Sequence, residues 1–200
     1  VGAQAVCGRY DDFNNIGYAF GIDETGHLGF IVADGKEFDA VLSEIPLQRH
    51  IWYFIGASYD ASTGRATLHQ MGVVNRYNSL WGKVTPMDYD SHVSETLRFK
   101  PKHAPDISFL VGGTWDFHAN RGKFVNELYS GKVDRPGVVS RALSREEFDH
   151  ICSGGKPPKN DILAYWDTSV GYTDTGIGDT VTDTGPHGLH AIGVNKPVRA

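Results

Sequence analysis

The stretch "HIWYFIGASYDASTGRATLH", residues 50–69, decides what kind of chain this is. From Trp52 the residues alternate as in a strand. Trp52, Phe54, Gly56 and Ser58 share one side, and Tyr53, Ile55, Ala57 and Tyr59 share the other. Both sides are apolar enough to predict a central strand covered on both faces. Tyr59-Asp60 then enters a turn of small and polar residues closed by Gly64, and Arg65 to Gln70 run back beside the first strand. An Asp carboxylate that accepts bonds from its own turn, followed by Gly at positive φ, is ordinary hairpin chemistry. A ligand rim at Tyr59-Asp60 is the alternative; the turn is the simpler reading.

The same alternation continues outward. In "GYAFGIDETGHLGFIVADGKEFDAVL", residues 17–42, Tyr18, Phe20 and Ile22, then Leu28, Phe30 and Val32, then Phe38, Ala40 and Leu42 mark three strands of an antiparallel meander. Asp34-Gly35 predicts a tight turn with positive φ at both residues. Residues 72–106 lack regular patterning and carry Pro86, Pro101 and Pro105; they read as an insertion with one short strand near Thr96 to Phe99. "DISFLVGG" (106–113) predicts a short buried strand, and "FVNELYSGKVDRPGVV" (124–139) another with a turn at Arg135-Pro136-Gly137. "ALSREEFDHICSGG" (142–155) predicts a short helix at 145–153. Ser144 caps it, Glu147 completes a capping box, Leu143 is placed to staple against Phe148, and Gly154 stops it.

Composition bounds the function classes. The 200 residues carry a net charge of −5, which gives no basic footprint for nucleic acid. No apolar run approaches the roughly 18 residues of a membrane span. Gly occurs 24 times and aromatics make up 12%, which suits short strands joined by turns. Cys7 and Cys152 are too few and too far apart for a disulfide framework and are read as free thiols in a reducing, cytoplasmic setting.

Candidate chemistry is sparse. Asp167, Asp174, Asp179 and Asp183 stand in a Gly/Thr-rich stretch where a calcium site is conceivable, although turn formation explains them as well. His187 and His190 in "HGLH" would point to opposite faces of a strand, and His118 follows Trp115-Asp116; neither makes a zinc set. Glu127 has no acidic residue two or four places along its own strand, as a glycosidase pair would need. Tyr77, Trp81, Tyr89 and His92 could stack on a sugar, form a local mini-core or meet another protein. No nucleophile signature is present. No residue is therefore assigned a catalytic, cofactor-binding or metal-binding role.

The order "WYFIGASYDASTGRATL", "FLVGG", "FVNELYSGKVDRPGVVSRALSREEF" resembles the laminin G-like, concanavalin A-like jelly roll, over residues 16–152. The tail "ILAYWDTSVG…DTVTDTGPHGLHAIGVNKPVRA" is similar to the segment after the jelly roll in the large subunit of the N,N-dimethylformamidase family. The resemblance implies an all-β antiparallel jelly-roll sandwich over 1–155, lacking the family's usual first strand. Residues 156–200 would add closing strands and lead to a downstream domain. It also implies a parent enzyme that hydrolyses N-substituted formamides to formate and an amine, using a mononuclear iron held by tyrosine and carboxylate ligands outside this chain. That enzyme would be an oligomer assembled with a small helical subunit. This chain is then expected to be a non-catalytic module of such an amidohydrolase. A stand-alone carbohydrate-binding lectin-like module is the alternative, and a plain scaffold for protein contacts the third. The apolar strand at 162–168 is expected to pair into the sandwich and bury Trp166.

Overall fold

A computed structural model describes residues 3–73, 89–170 and 180–194. Among the described residues the architecture is all-β with one α-helix. The chain divides into two compact units, Val1–Ser130 with Leu143–Cys152, and Gly131–Ala142 with Ser153–Ala200.

The first unit holds two sheets. The larger contains β1 (Gln4–Asp11), β2 (Ile16–Ile22), β3 (Leu28–Asp34), β4 (Phe38–Leu42), β8 (Leu110–Val111), β9 (Thr114–His118) and β10 (Gly122–Asn126), in the order β10-β9-β1-β2-β3-β4, with β8 also on β1. The smaller orders β5 (Tyr53–Asp60), β6 (Arg65–Gly72) and β7 (Ser91–Thr96) consecutively. Their inner faces share one core: Val6, Phe20, Leu28, Phe30, Val32 and Val41 from the larger sheet, Ala66 and Leu68 from β6, and Leu97. Burial of these apolar side chains is the main stabilising term, at about 1.5–3 kcal/mol for each large one.

The meander forms with the register that alternation demands, Phe20 opposite Phe30 and Phe30 opposite Val41. Its third strand has the opposite phase from the one expected. Val41 is fully buried, whereas Phe38 and Leu42 are exposed. Only Gly35 of the Asp34-Gly35 pair takes positive φ; the Asp34 carboxylate instead accepts the N–H groups of Lys36 and Glu37. Strand β1 was not visible in the sequence. A register shift between Ala5 and Cys7 breaks its alternation and buries Ala5 and Val6 side by side.

The hairpin of residues 50–69 forms as expected, but β6 is the middle strand and β5 flanks it. Both faces of β5 are nonetheless covered: Ile55, Ala57 and Tyr59 join the core, and Phe54 and Gly56 meet Phe148. The turn is held by Asp60, whose carboxylate accepts from Ser62 N–H, Ser62 Oγ and Thr63 Oγ1, with Gly64 at φ 74°. These bonds, led by the Ser62 hydroxyl, pull the Asp60 pKa down to about 2. Tyr59-Asp60 is thus turn chemistry.

Three further expectations shift. The strand placed near Thr96 to Phe99 lies at Ser91–Thr96. The segment 124–139 is not one strand: β10 ends at Asn126, Glu127 takes φ 47°, Leu128 makes only an isolated parallel bridge to Ala5, and the next strand is β11 (Gly137–Val139). The short buried strand expected over 106–113 shrinks to Leu110–Val111 and is not buried: Leu110 is half-buried and Val111 exposed. The helix is α1 (Arg145–Cys152), and its capping box is complete: Ser144 N–H donates to Glu147 Oε2 and Glu147 N–H to Ser144 Oγ.

In the second unit β12 (Ile162–Tyr165) pairs with β11, after a 3-10 turn at Lys159–Asp161. The strand is shorter than expected because Asp167 turns the chain, its carboxylate taking the N–H and hydroxyl of Ser169. Strands β13 (Thr180–Val181) and β14 (Ala191–Ile192) pair antiparallel. Trp166 is buried, but β12 pairs with β11 in a two-stranded sheet of the second unit and with no strand of the two larger sheets, so the expected pairing of 162–168 into the sandwich is not seen among the described residues.

Candidate functional site

Chemistry-bearing side chains gather at three places among the described residues. The most connected lies on the outer face of the three-stranded sheet, beneath α1. Along β6, Ala66 and Leu68 face the core, so His69, on the alternate parity, faces the helix. His69 is 2% exposed and stands cross-strand from His92 of β7. Its ring stacks on Phe148 of α1, with centroids 5.2 Å apart and planes at 12°, and meets Phe54 edge-on. Gly56 makes room: a Cβ there would lie 2.5 Å from Phe148 Cε1.

The bonding around His69 fixes its proton. Nε2 faces two acceptors, Asp149 Oδ1 at 3.3 Å and Met71 Sδ at 2.9 Å, so it carries the hydrogen. Nδ1 is then the lone pair, and it accepts from His92 Nδ1 at 3.0 Å. That leaves the lone pair of His92 on Nε2. Burial, and next the neighbouring His92, push the His69 pKa down, with Asp149 opposing. Burial and Arg145 do the same to His92. Both rings are therefore neutral at neutral pH.

The second place is acidic. Burial, then Asp12 and Asp116, raise the pKa of half-buried Glu127, and burial with Asp116 and Asp11 raises Asp12. These neighbours come from β1, its following turn and β9, so the residues along Glu127's own segment do not reveal them. Register information across the sheet was needed to find them.

The third place is Asp183, in the second unit. Its Oδ1 accepts the N–H groups of Tyr165 (2.8 Å) and Gly185 (2.7 Å), and its Oδ2 that of Leu189 (2.7 Å). Its own N–H donates to His190 Nδ1, and the Trp166 indole N–H donates to Leu189 O. Burial alone would raise this carboxyl; the three amides outweigh it and hold the pKa low. Asp183 is a backbone staple. Of the other calcium candidates, Asp167 serves its own turn, while Asp174 and Asp179 lie outside the described residues.

The remaining candidates scatter. His190 is bonded to Asp183, His187 lies in the turn before β14, and His118 Nδ1 accepts the Asn120 N–H in the β9–β10 turn. Tyr77 and Trp81 lie outside the described residues; Tyr89 meets Tyr53 edge-on at 6.3 Å, and His92 belongs to the histidine pair. Cys7 and Cys152 are free, and burial pushes the Cys7 thiol up to about 12. Among the described residues, no three His, Cys, Asp or Glu side chains are placed to hold a metal ion. Tyr10, beside Asp12 and Glu127, has its pKa pushed up to about 12 by burial and then by those carboxylates, and its hydroxyl is bonded to Asn15 Oδ1. No helix is long and apolar enough to cross a membrane, among the described residues.

Fold and sites together define an all-β chain with a buried histidine at the sheet–helix contact and a buried carboxylate held by backbone amides. No family model matches it. The chain is 35% identical over 201 residues to the N,N-dimethylformamidase beta subunit of Paracoccus aminophilus, and 33% identical over 201 residues to that of an Alcaligenes species. Each match covers 99% of this chain, which spans 26% of the length of these relatives. The similarity is thus to one part of a larger subunit.

Proposed function

We propose that this chain is a non-catalytic β-sandwich module, of the jelly-roll kind, in the large subunit of an N,N-dimethylformamidase-like amidohydrolase. The observation that carries this reading is the end-to-end similarity to about a quarter of two dimethylformamidase beta subunits. Two sheets around one core, with a capped helix on the outer face of the smaller, support a packing role. In this reading residues 1–155 are the sandwich and 156–200 its closing segment, continuing into a downstream domain. The parent enzyme is a cytoplasmic oligomer with a small helical subunit. Its iron ligands lie outside this chain, and it converts an N-substituted formamide to formate and an amine.

The test is formate release from dimethylformamide by the purified 200-residue chain and by the full-length gene product with its partner subunit. The proposal expects release by the latter alone. Formate above a buffer blank from the 200-residue chain overturns the non-catalytic role. Specific binding on a glycan array, with an inactive full-length protein, favours the lectin instead.

A further inference from the structure

We propose that the His69–His92 pair is a proton-operated latch on helix α1: neutral, it seats Phe148 and Asp149 against the sheet, and doubly charged it loosens them. The geometry carries this. The two Nδ1 atoms are 3.0 Å apart, a separation that holds one shared proton. The first added proton enters at His92 Nε2 and leaves every bond intact. His92 Nδ1–H can pass across to His69 Nδ1, which moves the charge beside Asp149 and under the Phe148 ring, where both attract it. The second proton has no such place. It sets two N–H groups against each other at 3.0 Å, on a side chain with 2% exposure.

The groups facing the pair come from every neighbouring element. Helix α1 contributes Arg145, Glu146 and Asp149; Asp90 precedes β7; β5 contributes only apolar Phe54 and Gly56. Arg145 opposes charging of both rings, while Asp149 favours it. Burial dominates and pushes both pKa values down. The sign follows. A histidine lowered in the folded state binds its proton first in the unfolded state. Stability is therefore whole above about pH 6.5 and falls as pH drops below it toward the folded values. Helix α1 responds first, because Phe148 and Asp149 touch the pair directly.

Amide hydrogen exchange on the 200-residue chain at pH 7.5 and 5.0, corrected for intrinsic rates, tests this. Protection of the α1 amides should fall several-fold at pH 5.0, and by more than that of β2 and β3. His92→Gln keeps a donor for His69 Nδ1 but takes no proton, so α1 protection in this variant should change by about two-fold or less. Equal α1 protection at both pH values in the native chain, or an undiminished pH response in the variant, overturns the latch. Should the variant fail to fold, a histidine 15N titration of the native chain decides. One of the two rings must stay neutral well below the ordinary histidine value, and protonation of both rings at or above it overturns the proposal.

Discussion

The two buried polar centres solve the same problem with opposite chemistry. Asp183 is buried as an ion. Three backbone amides converge on its two oxygens, and charge-assisted bonds of this kind are about twice as strong as neutral ones. His69 is buried as a neutral ring. Its partners are side chains on a neighbouring strand and a helix, and it can exchange one proton without losing a bond. The backbone donors to the Asp183 carboxylate cannot be protonated away, so those three bonds last until the carboxylate itself takes a proton. Side-chain partners titrate, so the histidine centre responds to pH. Burial alone therefore does not say whether a polar group fixes a fold or makes it adjustable; the identity of its partners does.

Removing the apolar lid of each centre probes the comparison hardest. Trp166→Ala takes away a buried ring that also donates to Leu189 O, and Phe148→Ala takes away the ring stacked on His69. Each should cost about 3–5 kcal/mol. Denaturant midpoints measure both. A loss below about 1 kcal/mol at either site would mean that ring is not part of a packed centre.

Asp183→Asn is the next largest. One amide oxygen cannot replace two carboxylate oxygens, and the new NH2 faces N–H groups. A cost of about 2–3 kcal/mol is expected, as for loss of a hydrogen bond to a charged group. The centres should also separate along the pH axis. Asp183 is lowered, so its contribution is whole above the ordinary carboxylate value of about 3.9 and is lost only as pH falls through its lower folded value. The histidine contribution begins to fall near pH 6.5. In an acid titration followed by NMR, α1 resonances should move before the Trp166 indole N–H. The reverse order would break the comparison.

Much of this was legible in the sequence, for local reasons. The turn at Asp60, the capping box at Ser144 and the meander of residues 17–42 each rest on contacts a few residues apart or on period-2 alternation. What was not legible depends on which strands become neighbours. The bulge at Ala5/Cys7 concealed β1, and the phase of β4 was set by Val41 packing beside Phe30 rather than by the hydrophobicity of Phe38 and Leu42. The histidine centre was invisible for the same reason. In sequence His92 stands beside the aromatic loop and His69 within the hairpin of residues 50–69; only the β6–β7 register sets them side by side. Glu127 found its acidic neighbours from other elements, where a search along its own strand found none.

The smallest expected effect reaches the histidine centre from a distance. Ser144 touches neither ring, yet it starts the helix that delivers Phe148 and Asp149. Its hydroxyl accepts the Glu147 N–H at 3.3 Å, and its own N–H donates to the Glu147 carboxylate at 2.9 Å. Ser144→Ala removes the first bond and leaves the second. The expected cost is about 1 kcal/mol, the usual value of an N-cap side chain. Ser144→Asp should recover most of it, because a carboxylate caps the same N–H and suits the positive end of the helix dipole. The informative readout is the coupling to the pair. A weaker helix start lowers the cost of releasing Phe148, so α1 exchange in Ser144→Ala should be faster at pH 7.5 and still respond to acid. If Ser144→Ala leaves both the denaturation midpoint and α1 exchange unchanged, the helix is held by its packing on His69 alone and the capping box contributes nothing to the seat.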